Sequence, residues 1–250
     1  WEKAAASCRT LVQLKPQDYA VRLRLAGIYE KMGRESEAIA QYGGVTAKGS
    51  HAVSMLEGMA RMSLKQGKYD EAIRLLNDTV RKGSPSAAVY ANLALAYGGK
   101  KMRKEELANY RKAAAMKPKD PVILYNLAVS LENNNQDQEA MGIYEKVLIL
   151  QPGDADATLR LADLAFRNGR YAQAVRLYEK LAGKTALKGK IYANLGYAYG
   201  ELNQLAPSAK YYEKAVKAGV KDEKVAYNLA VTYEKMGNEK AAAALYGKAA

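Results

Sequence analysis

Leu25-Ala26-Gly27-Ile28-Tyr29-Glu30-Lys31-Met32-Gly33 returns almost unchanged as Leu229-Ala230-Val231-Thr232-Tyr233-Glu234-Lys235-Met236-Gly237, 204 residues later, which is six times 34. The interval recurs between them. Tyr90-Ala91-Asn92-Leu93 and Tyr192-Ala193-Asn194-Leu195 lie 102 apart, three times 34, and Tyr-Glu-Lys begins at Tyr144, Tyr178 and Tyr212. Self-similarity at a fixed period of this length marks a repeat architecture, in which each unit buries its apolar face only against its neighbours.

With residue 19 as position 1, repeats run without insertion over 19–52, 53–86, 87–120, 121–154, 155–188, 189–222 and 223–250, the last truncated. Residues 1–18 fit positions 17 to 34, so a half repeat precedes them. Position 7 is Leu or Met and position 8 is always small: Ala26, Ala60, Ala94, Ala128, Ala162, Gly196 and Ala230. Position 20 is small except at Glu106, and position 24 is mostly tyrosine. Apolar residues at positions 4, 7, 8 and 11 define one helical face, and those at 20, 24 and 27 another. The small residues let two helix backbones approach, where added bulk costs about 1–3 kcal/mol through overpacking.

Turn chemistry falls in the same register. Asp18, Ser86, Asp120, Asp154 and Asp222 at position 34 suit the N-cap of the following first helix. Pro121 and Pro207 sit in first turns, where proline is tolerated. Gly33, Gly67, Gly169 and Gly237 at position 15, with Asn135 and Asn203 in their place elsewhere, suit a helix C-terminus. Pro16, Pro118 and Pro152 close second helices. First helices are expected over positions 1–14 and second helices over 18–31, fifteen in all, with no strand. Repeat three departs from the pattern. Lys101, Arg103 and Glu106 replace the usual residues, and Gly98-Gly99, like Gly43-Gly44 in repeat one, predicts a weakened helix and a less regular unit. Gly67-Lys68-Tyr69 recurs as Gly169-Arg170-Tyr171, again 102 apart, which suggests an ancestral block of three repeats.

These residues resemble the tetratricopeptide repeat pattern over the whole chain. The resemblance implies an all-α solenoid of antiparallel helix pairs wound into a right-handed superhelix as one domain, first helices lining a concave groove. Neither end carries the polar cap that solenoids need. The chain is therefore expected to be part of a longer protein, with apolar end faces that favour end-to-end association.

Composition narrows the function classes. The net charge is +13, spread along the chain, with the densest excess from Lys100 to Lys119, where eight Lys or Arg face Glu105 and Glu106. Such a field favours acidic partners without specifying one. His51 is the only histidine, placed by the register at an inter-repeat turn, so histidine metal clusters and His-based triads lack members. Cys8, the only cysteine, occupies a packing position, and no phosphate-binding loop occurs. No run is apolar enough for membrane insertion. No enzyme, cofactor, metal or small-molecule substrate is expected.

The binding candidates lie on first helices. Position 6 is Arg24, Gly58, Asn92, Asn126, Arg160, Asn194 and Asn228. The four asparagines resemble the ladder in O-linked N-acetylglucosamine transferase repeats, where side-chain amides hold a peptide backbone; an amide offers both donor and acceptor whatever the peptide sequence. Tyr125, Tyr197 and Tyr227 at positions 5 and 9 are candidate anchors, with Leu95, Val129 and Val231 as apolar floor. Arg160 interrupts the ladder, with Asp156 and Asp163 in helical reach as partners. The carboxylate clamp of the family is absent: Ala91 and Leu95 stand where Lys and Asn are needed, and Asp156 where Lys is needed. The expected function is a scaffold holding an extended protein segment in two subsites, repeats three and four and repeats six and seven. Self-assembly through the ends is the alternative, and nucleic-acid binding through the basic strip comes third, since no base-reading motif accompanies it.

Overall fold

The computed structural model describes residues 1–43, 50–83, 85–182 and 187–249. Fifteen helices and no strand occur among the described residues. The chain divides into two compact units, Trp1–Asn135 and Gln136–Ala250. The first holds α1 (Glu2–Leu14), α2 (Tyr19–Lys31), α3 (Glu35–Gly43), α4 (Ser50–Lys65), α5 (Tyr69–Arg81), α6 (Ala87–Gly99), α7 (Arg103–Met116) and α8 (Pro121–Asn133). The second holds α9 (Asp137–Leu150), α10 (Ala155–Arg167), α11 (Tyr171–Leu181), α12 (Lys188–Glu201), α13 (Leu205–Lys217), α14 (Glu223–Lys235) and α15 (Glu239–Ala249). Within each unit every helix packs on the next in sequence, and three pairs of successive first helices also meet, α2 with α4, α4 with α6 and α12 with α14. That arrangement is an α-solenoid.

The boundaries follow from local chemistry. The five expected caps form: Asp18 accepts from Val21 N–H at 3.1 Å, Ser86 from Val89 at 3.3 Å, and Asp154 from Ala157 at 2.9 Å. Asp120 accepts from both Val122 and Ile123, and Asp222 from Lys224. Each satisfies a donor that the first helical turn leaves unpaired. At position 15 the chain reverses through a left-handed residue, Gly169 at φ 70° and Asn203 at φ 55° among them. Packing follows the small residues: Ala26, Ala60, Ala94, Ala128, Ala162 and Ala230 are completely buried, as are Ala38, Ala72, Ala140 and Ala174 at position 20. Cys8 is buried as expected.

Two expectations need correction. His51 lies in the first turn of α4, which starts at Ser50, three residues before the register places it. Repeat three is regular: α6 runs through Gly98 and Gly99 to the same length as α8 and α10. The glycines make room. A Cβ on Gly99 would fall 2.4 Å from the Tyr69 ring, and one on Gly98 would fall 3.1 Å from the Glu106 carboxyl. Glu106, where five of the other six repeats have alanine, is thus accommodated by glycine eight residues earlier. Repeat six repeats the exchange, since Ser208 stands at position 20 and Gly200 at position 12. Lys101 takes the left-handed turn that glycine takes elsewhere, at φ 60°, and the Lys101 and Met102 amides still close the helix on Gly98 and Tyr97 carbonyls at 2.9 Å. Packing imposes this turn against a preference of about 1–2 kcal/mol. Gly43 ends α3, and Gly44 lies outside the described residues.

Candidate functional site

The position-6 asparagines immediately precede the buried position-7 leucines that anchor each first helix, which leaves all four amides half-buried at the edge of that face. Their partners are set by position 24 of the preceding repeat. For Asn194 this is Tyr178, fully buried, and the amide donates to its hydroxyl at 2.9 Å. The Tyr178 hydroxyl in turn donates to the Asp163 carboxylate, which also pairs with Lys190 at 3.0 Å. Burial, reinforced by the Asp163 carboxylate, pushes the Tyr178 phenol far above its usual range. Asn228 lies against Tyr212, where burial raises the phenol pKa and the amide works against that rise. The Asp163 carboxylate, one of the two carboxylates within helical reach of Arg160, thus also receives groups from α11 and α12.

In the first unit the same position meets different neighbours. Asn92 follows a repeat whose position 24 is Leu76, which has no hydroxyl. Asn126 follows Tyr110, whose phenol is raised by burial and then by Glu106. Repeat two shows why the ladder stops at Gly58: a Cβ there would sit 2.2 Å from the Tyr42 ring. Tyr42 donates to Glu30, which Arg61 also holds at 3.0 Å, so the ring is fixed from both sides.

The expected anchors are available. Tyr227 is 56% exposed, Leu95 48% and Tyr197 38%, while Tyr125, Val129 and Val231 are half-buried. Asn92, Leu95, Tyr125, Asn126 and Val129 belong to the first unit, on α6 and α8. Asn194, Tyr197, Tyr227, Asn228 and Val231 belong to the second, on α12 and α14. There a pocket of about 130 Å³ is lined by Tyr197, Tyr212, Asn228, Val231, Thr232 and Lys235, among others. Tyr197 also joins a ring cluster with Phe166 at 5.4 Å and Tyr171 at 6.0 Å, which limits its rotamers. The intramolecular tyrosine partners of the asparagines were missed in the sequence, although tyrosine at position 24 was the available signal.

The basic strip is partly engaged within the protein. Lys100 pairs with Asp70, Arg103 donates to the Asn133 carbonyl at 2.9 Å, and Lys112 lies 5.3 Å from the Tyr90 ring centre. Among the described residues no helix is long and apolar enough to cross a membrane.

Helix pairs in a 34-residue register, closed by left-handed turns and alanine seams, define a repeat solenoid. Models described as tetratricopeptide repeat match residues 58–100, 87–120, 109–141, 136–195, 189–218 and 223–250. The chain belongs to the tetratricopeptide repeat family. Solved structures agree in fold. A tetratricopeptide repeat protein from Parabacteroides merdae ATCC 43184 is 16% identical, covering 93% of this chain and 92% of that one at a TM-score of 0.60. MamA 41-end from Desulfovibrio magneticus RS-1 is 24% identical, over 65% and 92%, at 0.57. YrrB, described as a TPR protein with an unusual peptide-binding site, is 18% identical, over 70% and 91%, at 0.59. No curated protein matches the chain.

Proposed function

We propose that the chain is a non-enzymatic scaffold that holds an extended segment of a protein partner against its first helices. The family and fold support a protein-interaction scaffold. The observation that carries the finer reading is the set of large apolar side chains left exposed on first helices, Leu95, Tyr197 and Tyr227, each in a unit that also offers half-buried amides. Apolar anchors fix position, and amides pair with a main chain; together they make the mixture expected of a peptide site. Two subsites follow, α6 with α8 and α12 with α14, one in each unit. The net charge of +13 favours an acidic partner. The partner is obtained by pull-down and mass spectrometry, and hydrogen exchange of the complex then locates it. Protection concentrated in α6, α8, α12 and α14 is the expected result. Protection confined to second helices would remove the site from this face.

Self-association is a second reading, favoured by one observation: Trp1 is 66% exposed, and Leu11 and Leu14 on α1 are 46% and 72% exposed. Apolar patches of this kind commonly mark contacts. A molar mass that rises with concentration, and returns to monomer in Leu11→Lys/Leu14→Lys, supports it; a constant monomer mass refutes it.

A further inference from the structure

Helices of the second unit carry a frame that repeats with the 34-residue period, filled by aromatic rings in one repeat and open in the one before. In repeat six, Tyr192, Tyr199 and Tyr211 form a ring group: Tyr199 and Tyr211 stack at 5.5 Å with 7° between planes, and Tyr192 lies 6.1 Å from Tyr211. Their frame is polar at two points. The Glu179 carboxylate accepts from the Tyr199 hydroxyl at 2.6 Å and from the Tyr211 hydroxyl at 3.1 Å. The Lys214 ammonium lies 4.9 Å from the Tyr211 ring centre and 5.6 Å from that of Tyr192. Repeat seven uses the same acceptor position, where Glu213 accepts from Tyr233 at 2.6 Å.

One repeat earlier the frame persists without the rings. Glu145 stands for Glu179 and Lys180 for Lys214, but Thr158, Ala165 and Leu177 stand for the three tyrosines. Between α9, α10 and α11 this leaves a groove of about 410 Å³, lined by Glu145, Leu148, Ile149, Leu161, Leu177 and Lys180, with Gln173 and Arg176. Ile149 at its edge is 78% exposed. Gln173 donates to Glu145 at 2.9 Å. A carboxylate accepts several hydrogen bonds, as Glu179 does from two phenols, so this amide leaves capacity on Glu145.

We propose that this groove is a docking site for a tyrosine side chain presented by a protein partner. Its ring lies on Leu148, Leu161 and Leu177 beneath the Lys180 ammonium, and its hydroxyl donates to Glu145. The occupant is specified by the neighbouring repeat, where the same acceptor and cation hold the chain's own tyrosines. A cation over a ring face and a phenol on a carboxylate are both favourable at a partly desolvated surface. The site lies between the second helices α9 and α11 with Leu161 of α10 at its floor, shares no residue with the two subsites proposed above, and each stands without the other.

The test uses N-acetyl-L-tyrosinamide and N-acetyl-L-phenylalaninamide as probes, read by backbone amide chemical shifts of the intact chain. The tyrosine probe is expected to shift amides of Leu148, Ile149 and Gln173 to Lys180 saturably, and to bind about five- to tenfold more tightly than the phenylalanine probe. Leu177→Tyr places a ring where Tyr211 has one and is expected to abolish the shifts. Glu145→Gln, at an exposed position that leaves the fold intact, is expected to bring the tyrosine probe down to the affinity of the phenylalanine probe. Absence of saturable shifts in the groove, equal affinity of the two probes, or unchanged preference in Glu145→Gln would each overturn the proposal.

Discussion

Repeats three and six stand 102 residues apart and share Tyr-Ala-Asn-Leu on their first helices, yet the structure uses the shared residues differently. In repeat six Asn194 is tied to the buried Tyr178 hydroxyl, Asn203 takes the left-handed turn, and Ser208 fills position 20 and donates to the Gly196 carbonyl at 2.8 Å. In repeat three Asn92 follows Leu76, Lys101 takes the turn, and Glu106 is tucked beside Gly98. Position in the repeat sets where a side chain stands. The preceding repeat sets what it can bond, so Asn194 is tied to a tyrosine hydroxyl while Asn92 meets a leucine at the same place.

The largest expected effect lies at position 8. A Cβ on Gly196 would fall 2.7 Å from the fixed root of the Tyr212 ring, whereas repeat three carries Ala94, fully buried, at the same place. Gly196→Ala is expected to destabilise the chain by about 2 kcal/mol through overpacking, read as a lowered urea midpoint. A stabilised Gly196→Ala chain would show the two repeats to be packed alike. Next comes Asn194→Ala, which removes a hydrogen bond from a buried phenol and is expected to cost about 1 kcal/mol of stability, against less than about 0.5 kcal/mol for Asn92→Ala. Equal losses would erase the distinction between the two asparagines.

Lys101→Gly sharpens the comparison in the opposite direction. Relieving a left-handed lysine is expected to stabilise by about 1 kcal/mol, while Asn203→Gly in repeat six gains less, because asparagine tolerates that conformation. The smallest effect is expected at Glu106. Burial raises its carboxyl pKa, opposed by the Arg103 charge and then by Ser130, whose fully buried hydroxyl faces the carboxylate without a hydrogen bond of normal geometry. For an acid with a raised folded pKa, the unfolded chain ionises first, so stability declines as pH rises through the ordinary carboxylate range. Glu106→Gln is therefore expected to raise the melting temperature at neutral pH, with the difference shrinking as pH falls below that range. A gain that does not change with pH would assign the effect to shape alone.

The fold was legible because its signals are local and repeated. The aspartate and serine caps, the left-handed glycines and the alanine seams each recur every 34 residues, and tertiary packing reinforces what each prefers by itself. Gly98 and Gly99 misled because a glycine pair reads locally as a weak helix, whereas here its meaning is set by Tyr69 and Glu106 on neighbouring helices. The pairing of glycine at position 12 with a larger residue at position 20 was visible in the sequence at Gly98 with Glu106 and Gly200 with Ser208. At the site, the placement of Tyr197, Tyr227 and Leu95 on an exposed face followed from the register. The bond between Asn194 and Tyr178 did not, because it joins two repeats and depends on which residue happens to occupy position 24. The groove beside Glu145 was equally hidden, since it is defined by rings that repeat five lacks.

The most direct test of the first-helix site is the affinity of the isolated partner for Asn92→Ala/Asn126→Ala, compared with wild type by calorimetry. Asn194 is left out of the variant because its loss would also disturb the buried Tyr178 hydroxyl. The double variant is expected to keep the wild-type melting temperature and to bind at least about tenfold more weakly, as lost hydrogen bonds to a partly desolvated main chain require. Wild-type affinity in a folded double variant would contradict the account.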